Sequence, residues 1–112
     1  MAEDCVFCKI SRREIPAEFL FEDDQLYVIR DIHPKAPTHL LMVPKEHIAT
    51  INDVIEDHGV LLSNMILAAK NQAQATGIAE SGYKLVFNVG KHGGQTVFHI
   101  HLHVLGGKQL AE

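Results

Sequence analysis

The stretch Phe98-His99-Ile100-His101-Leu102-His103-Val104-Leu105 decides the reading of this chain, because two chemistries alternate along it. Successive side chains of a strand point to opposite faces. Phe98, Ile100, Leu102 and Val104 therefore form an apolar face that packs on a core, while His99, His101 and His103 form a row fixed on the other side. With eight histidines in 112 residues, chance would supply such a triple roughly 0.04 times per chain, before period-2 patterning is considered. His99 and His103 stand on the order of 13 Å apart along a strand, too far to share one ion held about 2 Å from each nitrogen. The row must divide its roles. Neighbouring pairs, about 7 Å apart, can converge on a metal or on one tetrahedral phosphate. A row making only sheet hydrogen bonds is disfavoured, because three half-buried imidazoles are hard to satisfy without a ligand.

The residues just upstream favour phosphate. Gly93-Gly94-Gln95-Thr96 allows close backbone approach and offers amide donors, and Thr96 adds a hydroxyl. A glycine pair alone marks only a turn; its place directly before the histidine strand gives it meaning.

Length and composition narrow the classes. A chain of 112 residues with 46% hydrophobic and 21% charged side chains is expected to form one domain, 1–112, with a packed core. Fourteen acidic against ten basic residues give a formal charge of −4, so no nucleic-acid partner is expected from a general basic field. The start Met1-Ala2-Glu3-Asp4 lacks the pattern of a secretory signal. The longest apolar run, Met65–Ala69, is far short of the roughly 20 residues that span a bilayer. A cytoplasmic location is expected, and there Cys5 and Cys8 point to a metal clip or a redox pair ahead of a structural disulfide.

Phe19–Phe21 and Leu26–Ile29 predict a hairpin around the turn Glu22-Asp23-Asp24. Asp31–Pro37 is a loop, because its prolines lack donors and bias their predecessors. Leu40–Val43 is a short buried strand stopped by Pro44. Asp53–Thr76 is the one long helix, starting as late as Asp57. Its apolar stripe runs through Val60, Leu61, Met65, Leu67 or Ala68, and Gln72 or Ala73, with Asn52 or Asp53 as N-cap and Gly77 as stop. Tyr83–Val89 and Val97–Leu105 are the last strands. About five strands and one helix make an α+β domain.

The histidine run resembles the signature of the histidine triad (HIT) family. Phe7–Ile10, Ile15-Pro16, Phe21–Asp24, Asp31, Ala36–His39, Pro44-Lys45, Gly93–Gln95 and Leu105–Gly107 extend the likeness to the nucleotide-binding branch over nearly the whole chain. The resemblance implies a five-stranded antiparallel sheet continued across a homodimer, a purine nucleotide substrate, and hydrolysis of nucleoside phosphoramidates through a nucleotidylated His101. It also implies roles for further residues. His103 and Thr96 assist at phosphorus, His39 supports the row, Asp31 and Ile32 face the ribose, and Asn88 lies on the ribose-phosphate side. Gly94, Gln95, Thr96 and Val97 meet the phosphate, and Val6, Phe7, Ile10, Ile29 and Leu41 flank the base, though each of these five can equally be plain core.

The chemistry suits the residue types. Neutral imidazole is a nucleophile near pH 7, provided a hydrogen bond on one ring nitrogen leaves the other's lone pair free. Cys5 and Cys8 fit one edge of a tetrahedral zinc site, and the candidates for its other ligands are His47 and His99, a set some relatives use. Unmetallated thiols are the alternative. A thioredoxin-like pair is disfavoured, since the cysteines are not placed after a strand at a helix start. His33, His58 and His92 are expected to be solvated. Two other functions compete: cleavage of dinucleoside polyphosphates, and a nucleotide-binding regulatory module with incidental hydrolysis.

Overall fold

The computed structural model describes residues 4–112. Met1–Glu3, read above against a secretory signal, lie outside the described residues. In chain order the elements are α1 (Val6–Ser11), β1 (Phe21–Glu22), β2 (Leu26–Arg30), β3 (Thr38–Pro44), two 3-10 turns (Ile51–Asp53 and Glu56–His58), α2 (Gly59–Ala75), β4 (Tyr83–Val86) and β5 (Leu102–Gly106). The strands form one antiparallel sheet in the order β1-β2-β3-β5-β4. This is the expected α+β class.

Alternation along the central strands gives the sheet two covered faces. Leu26, Val28, Leu40, Met42, Leu102 and Val104 are almost fully buried in the same core as Leu61, Met65, Ala68, Ala69 and Ala73 of α2. On the other face Tyr27, Ile29, Leu41 and Val43 pack with Phe7 and Ile10 of α1. Burying a Leu-sized side chain contributes about 1.5–3 kcal/mol, so both layers are held by ordinary apolar burial. The Tyr27 hydroxyl donates to the Phe7 carbonyl at 2.8 Å, which ties α1 to β2 and satisfies a polar group that burial would otherwise penalise.

The hairpin forms, with its first strand at Phe21–Glu22 rather than Phe19–Phe21. Asp23 is engaged inside the turn, its Oδ1 accepting from the amides of Gln25 and Leu26. The long helix begins at Gly59, not in the 53–57 region. Thr50 and Asp53 bond reciprocally across a separate 3-10 turn, and the β-branched pair Val54-Ile55 then runs extended, so helix cannot propagate through it. Val60, placed on the buried stripe above, is 67% exposed, and of the alternatives Leu67 and Ala68 it is Ala68 that is buried. The stop is as expected: Gly77 takes φ +81° and the Ile78 amide bonds the Ala73 carbonyl.

The largest departure concerns the histidine strand itself. Ladder pairing starts only at Leu102, so His99 and His101 precede the strand and only His103 lies on it. The backbone there is held otherwise: the Ile100 amide donates to Ile48 O, and Gln95 Nε2 donates to Val97 O. The β4 ladder ends at Val86, opposite His103, instead of Val89. Phe98 is 49% exposed and does not join the apolar face. A helix not foreseen in the sequence, α1, has Cys5 as its N-cap. The cysteines therefore do sit at a helix start, though among the described residues no strand precedes it.

Candidate active site

The three imidazoles of the row part company. His99 is 1% exposed and turns towards α1. Its Nε2–H donates to the Pro44 carbonyl at 2.7 Å, which leaves the Nδ1 lone pair facing Cys5 Sγ at 3.3 Å, Cys8 Sγ at 3.6 Å and His47 Nδ1 at 3.1 Å. His47 Nδ1 is also 3.5 Å from Cys8 Sγ. Cys5, Cys8, His47 and His99 thus form a cluster able to hold a metal ion, with all four ligand atoms within 4.8 Å of one another. A tetrahedron with zinc-like bond lengths has S–N edges of about 3.5 Å and an N–N edge of about 3.4 Å. The distances fit it. Burial pushes the Cys8 thiol up to about 11, helped by its neighbour Cys5, and pushes His99 down to about 4.

His101 and His103 face a cavity of about 540 Å³ instead, with ring centroids 4.8 Å apart. The two present opposite hydrogen-bonding character. His101 Nδ1–H donates to the His99 carbonyl at 2.8 Å, so its Nε2 keeps a lone pair. Every buried side-chain polar atom among the described residues has a partner, and this Nε2 has none, so it is open to the cavity. His103 is set by a relay. The Lys35 amide donates to His39 Nδ1 at 3.1 Å, so His39 carries its proton on Nε2 and directs it to His103 Nδ1 at 2.9 Å. That leaves His103 with its proton on Nε2, towards the cavity.

Burial lowers the pKa of His39 and His101. It pushes His103 down to about 4, with the neighbouring imidazoles His101 and His39 adding to the effect. All of these rings are neutral near pH 7, as the relay requires. Asp31, His39 and His103 also lie within reach of a shared ion. However, the Lys35 bond makes His39 Nε2 a donor, and a protonated nitrogen is not a ligand.

The remaining walls come from both ends of the sheet. Asp31, Ile32, Asn88, Gly94, Thr96 and Val97 line the cavity, as do the apolar Val6, Phe7, Ile10, Ile29 and Leu41. Phe7, between the two cysteines, meets the His101 ring edge-on at 5.0 Å and the His99 ring at 5.7 Å.

Gln95 does not line the cavity. It is buried, and its amide holds the glycine loop by bonds to the Gly90 amide and the Ala49 and Val97 carbonyls. The Gly94 and Gln95 amides, offered to phosphate by the sequence, close turns on Lys91 O and Gly90 O. Thr96 keeps both its amide and its hydroxyl free of protein partners, so both are available to an anion in the cavity. Gly93 has no room for a Cβ against the Val89 backbone, and Gly94 takes φ +81°, so both glycines are sterically required.

Sequence reasoning missed Lys84, Val86 and Leu105, which also line the cavity. A usable signal existed: Leu105 continues the alternation of the histidine row, and Lys84, Val86 and Asn88 alternate in the same way along the adjacent segment. His33 lies on the cavity wall. His58 is a structural cap whose Nδ1 accepts from the Ile55 amide, with Nε2 3.0 Å from Glu46.

Residues 4–111 match the family profile described as "Scavenger mRNA decapping enzyme C-term binding". The chain is 50% identical over 110 residues to a purine nucleoside phosphoramidase of Escherichia coli (strain K12), covering 98% of this chain and 92% of that one. A crystal structure of a HIT family hydrolase from Legionella pneumophila Philadelphia 1 superposes with a TM-score of 0.93 at 59% identity, over 96% of each chain. A HIT family hydrolase from Clostridium thermocellum superposes at 0.96 with 46% identity, over 100% of this chain and 97% of that one. Full-length matches of this kind, around a cavity walled by His101 and His103, make the chain a member of the histidine triad family.

Proposed function

We propose that this chain is a purine nucleoside phosphoramidate hydrolase, a single domain over 1–112 that works through a nucleotidyl intermediate on His101. One observation carries the mechanism: His101 and His103, side by side, expose a lone pair and an N–H, respectively. His101 Nε2 attacks the α-phosphorus while the P–N bond breaks, and His103 Nε2–H supplies the proton to the departing amine; the negative charge left on His103 is offset by the His39 hydrogen bond at its Nδ1 and by the positive charge His101 gains on bonding to phosphorus. Water then attacks the phosphorus, giving its proton to His103, and releases the nucleoside monophosphate from His101. His39 keeps His103 in the donating tautomer at each turn. The Thr96 amide and hydroxyl steady the charge that gathers on the phosphoryl oxygens.

Asp31 and Ile32 receive the ribose, and Val6, Phe7, Ile10, Ile29 and Leu41 enclose the base. Asn88 donates to Gly93 O at 2.8 Å and keeps the loop on the ribose-phosphate side with Gly94 and Val97. The 50% identity to a purine nucleoside phosphoramidase supports this substrate class.

Structural zinc fits Cys5, Cys8, His47 and His99, where it would pin α1 to a residue two positions before the nucleophile. The open edge of β4 suits continuation of the sheet into a second copy, as a homodimer. Thiols free for metal suit a cytoplasmic location, with neither membrane nor nucleic acid as partner.

A mass spectrum of protein quenched during turnover of an adenosine phosphoramidate tests the reading. The expected product is a nucleotidyl adduct on His101. Turnover without an adduct, or an adduct elsewhere, overturns the mechanism. Faster cleavage of diadenosine polyphosphates than of the phosphoramidate overturns the substrate class.

A further inference from the structure

The ladder register puts Lys84 at the end of a row that begins with the ribose-binding carboxylate. Lys84 pairs with Leu105, and Leu105 with His39; the His39 carbonyl in turn accepts from the Asp31 amide at 2.9 Å. Asp31 and Lys84 therefore face the same cavity from opposite sides, one following β2 and the other on β4. With three interstrand steps of about 4.8 Å between them, they are on the order of 14 Å apart.

On the phosphoramidase reading, on which this inference rests, the nucleoside occupies the β2, β3 and α1 side and the reacting phosphorus lies over β5. The group bonded to that phosphorus and destined to leave then faces β4. What it meets there is Val86, directly opposite His103, then Leu105, then Lys84, whose ammonium end reaches the C-terminal segment.

That ammonium is held in place without being neutralised. Its Nζ donates to the Ala111 carbonyl at 2.8 Å, and among the described residues no carboxylate lies within ion-pair distance of it. The other cations of the wall lie on the nucleoside side: Arg30, opposite Glu18 at 3.7 Å, and Lys35, whose amide bonds His39. In a chain of formal charge −4, an unpaired cation beside a short apolar patch is suited to an anion at the end of a small stem.

The geometry points to Lys84 as a specificity-determining residue that selects leaving amines bearing a carboxylate, as in a phosphoramidate whose nitrogen belongs to an amino acid. The bond broken is the same P–N bond, and the amine still receives its proton from His103. Lys84 acts only on where the far end of the amine sits.

Adenosine 5′-phosphoramidates of glycine and of glycinamide differ by one charge and serve as paired probes. The native protein is expected to show a higher kcat/KM for the glycine compound. The ratio should fall about five-fold in Lys84→Gln, the scale of one exposed ion pair, be retained in Lys84→Arg, and shrink at about 0.5 M salt. An unchanged ratio in Lys84→Gln, or no preference in a native protein that turns over both compounds, overturns the role of Lys84 and leaves the phosphoramidase reading standing. A native protein that turns over neither overturns both.

Discussion

The His101 imidazole is bonded to the backbone of His99, whose own side chain belongs to the cysteine cluster: His101 Nδ1 lies 2.8 Å from the His99 carbonyl, while His99 Nδ1 faces Cys5 and Cys8. One residue thus carries a side chain of the cluster able to hold a metal ion and the acceptor that sets the tautomer of the candidate nucleophile.

His101→Ala removes the lone pair and leaves the cavity walls in place. Turnover is expected to fall by about 10⁴-fold or more, with nucleoside monophosphate still bound, since nucleophile loss abolishes the covalent route. Calorimetric binding measured beside steady-state rates checks this, and substantial activity in the variant would sink the mechanism.

His39→Gln cuts the relay that keeps the His103 proton on Nε2. The expected loss in kcat is about 10- to 100-fold with an alkylamine leaving group, within the range of general acid catalysis. The loss should shrink when the leaving amine is weakly basic and needs no proton. Equal losses across a leaving-group series would exclude the relay.

Metal content and folding should move together. One zinc per chain is expected by atomic emission, and Cys8→Ser or a strong chelator should remove it and lower the melting temperature. The buried Cys8 thiol, pushed up to about 11, must lose its proton to bind, so metal affinity should weaken as pH falls. A metal-free native protein with an unchanged melting temperature would contradict the assignment.

Burial holds His103 at about 4, below its unfolded value near 6.5. Between those values the unfolded chain binds more protons than the folded one, so this ring makes stability fall as pH drops from about 6.5 towards 4. Melting curves across that window should show a smaller decline in His103→Asn. An identical slope in both proteins would place the titration elsewhere.

Gln95→Ala removes three hydrogen bonds that hold the glycine loop and strands buried backbone groups. A cost of about 2–4 kcal/mol is expected by denaturant titration, with KM for the nucleotide rising as the loop loosens. A change under about 0.5 kcal/mol would show that the loop is held by other contacts.

Much of this molecule was legible in local patterns. The alternation of Ile100, Leu102 and Val104 with the histidines set the face that packs against α2. The Asp23 turn and the Gly77 stop follow from backbone chemistry within a few residues. The cavity-lining residues named from sequence were found at the cavity, apart from Gln95, whose amide binds the loop instead.

Other features depended on long-range partners. The extended pair Val54-Ile55 follows a capped turn whose effect on the helix start no periodicity shows. Lys84 reaches the cavity only because β4 is paired to β5, and Thr96 stands out as the free donor only once the Gly94 and Gln95 amides are engaged elsewhere.

Sequence alone marked the histidine row as the candidate chemistry and Ile100, Leu102 and Val104 as its core-facing side, because side-chain alternation and turn propensities act over a few bonds. Tertiary structure decided which nitrogen of each imidazole bears the proton. That depends on Pro44, on the His99 carbonyl and on the Lys35 amide, acceptors and donors brought into range only by the folded chain.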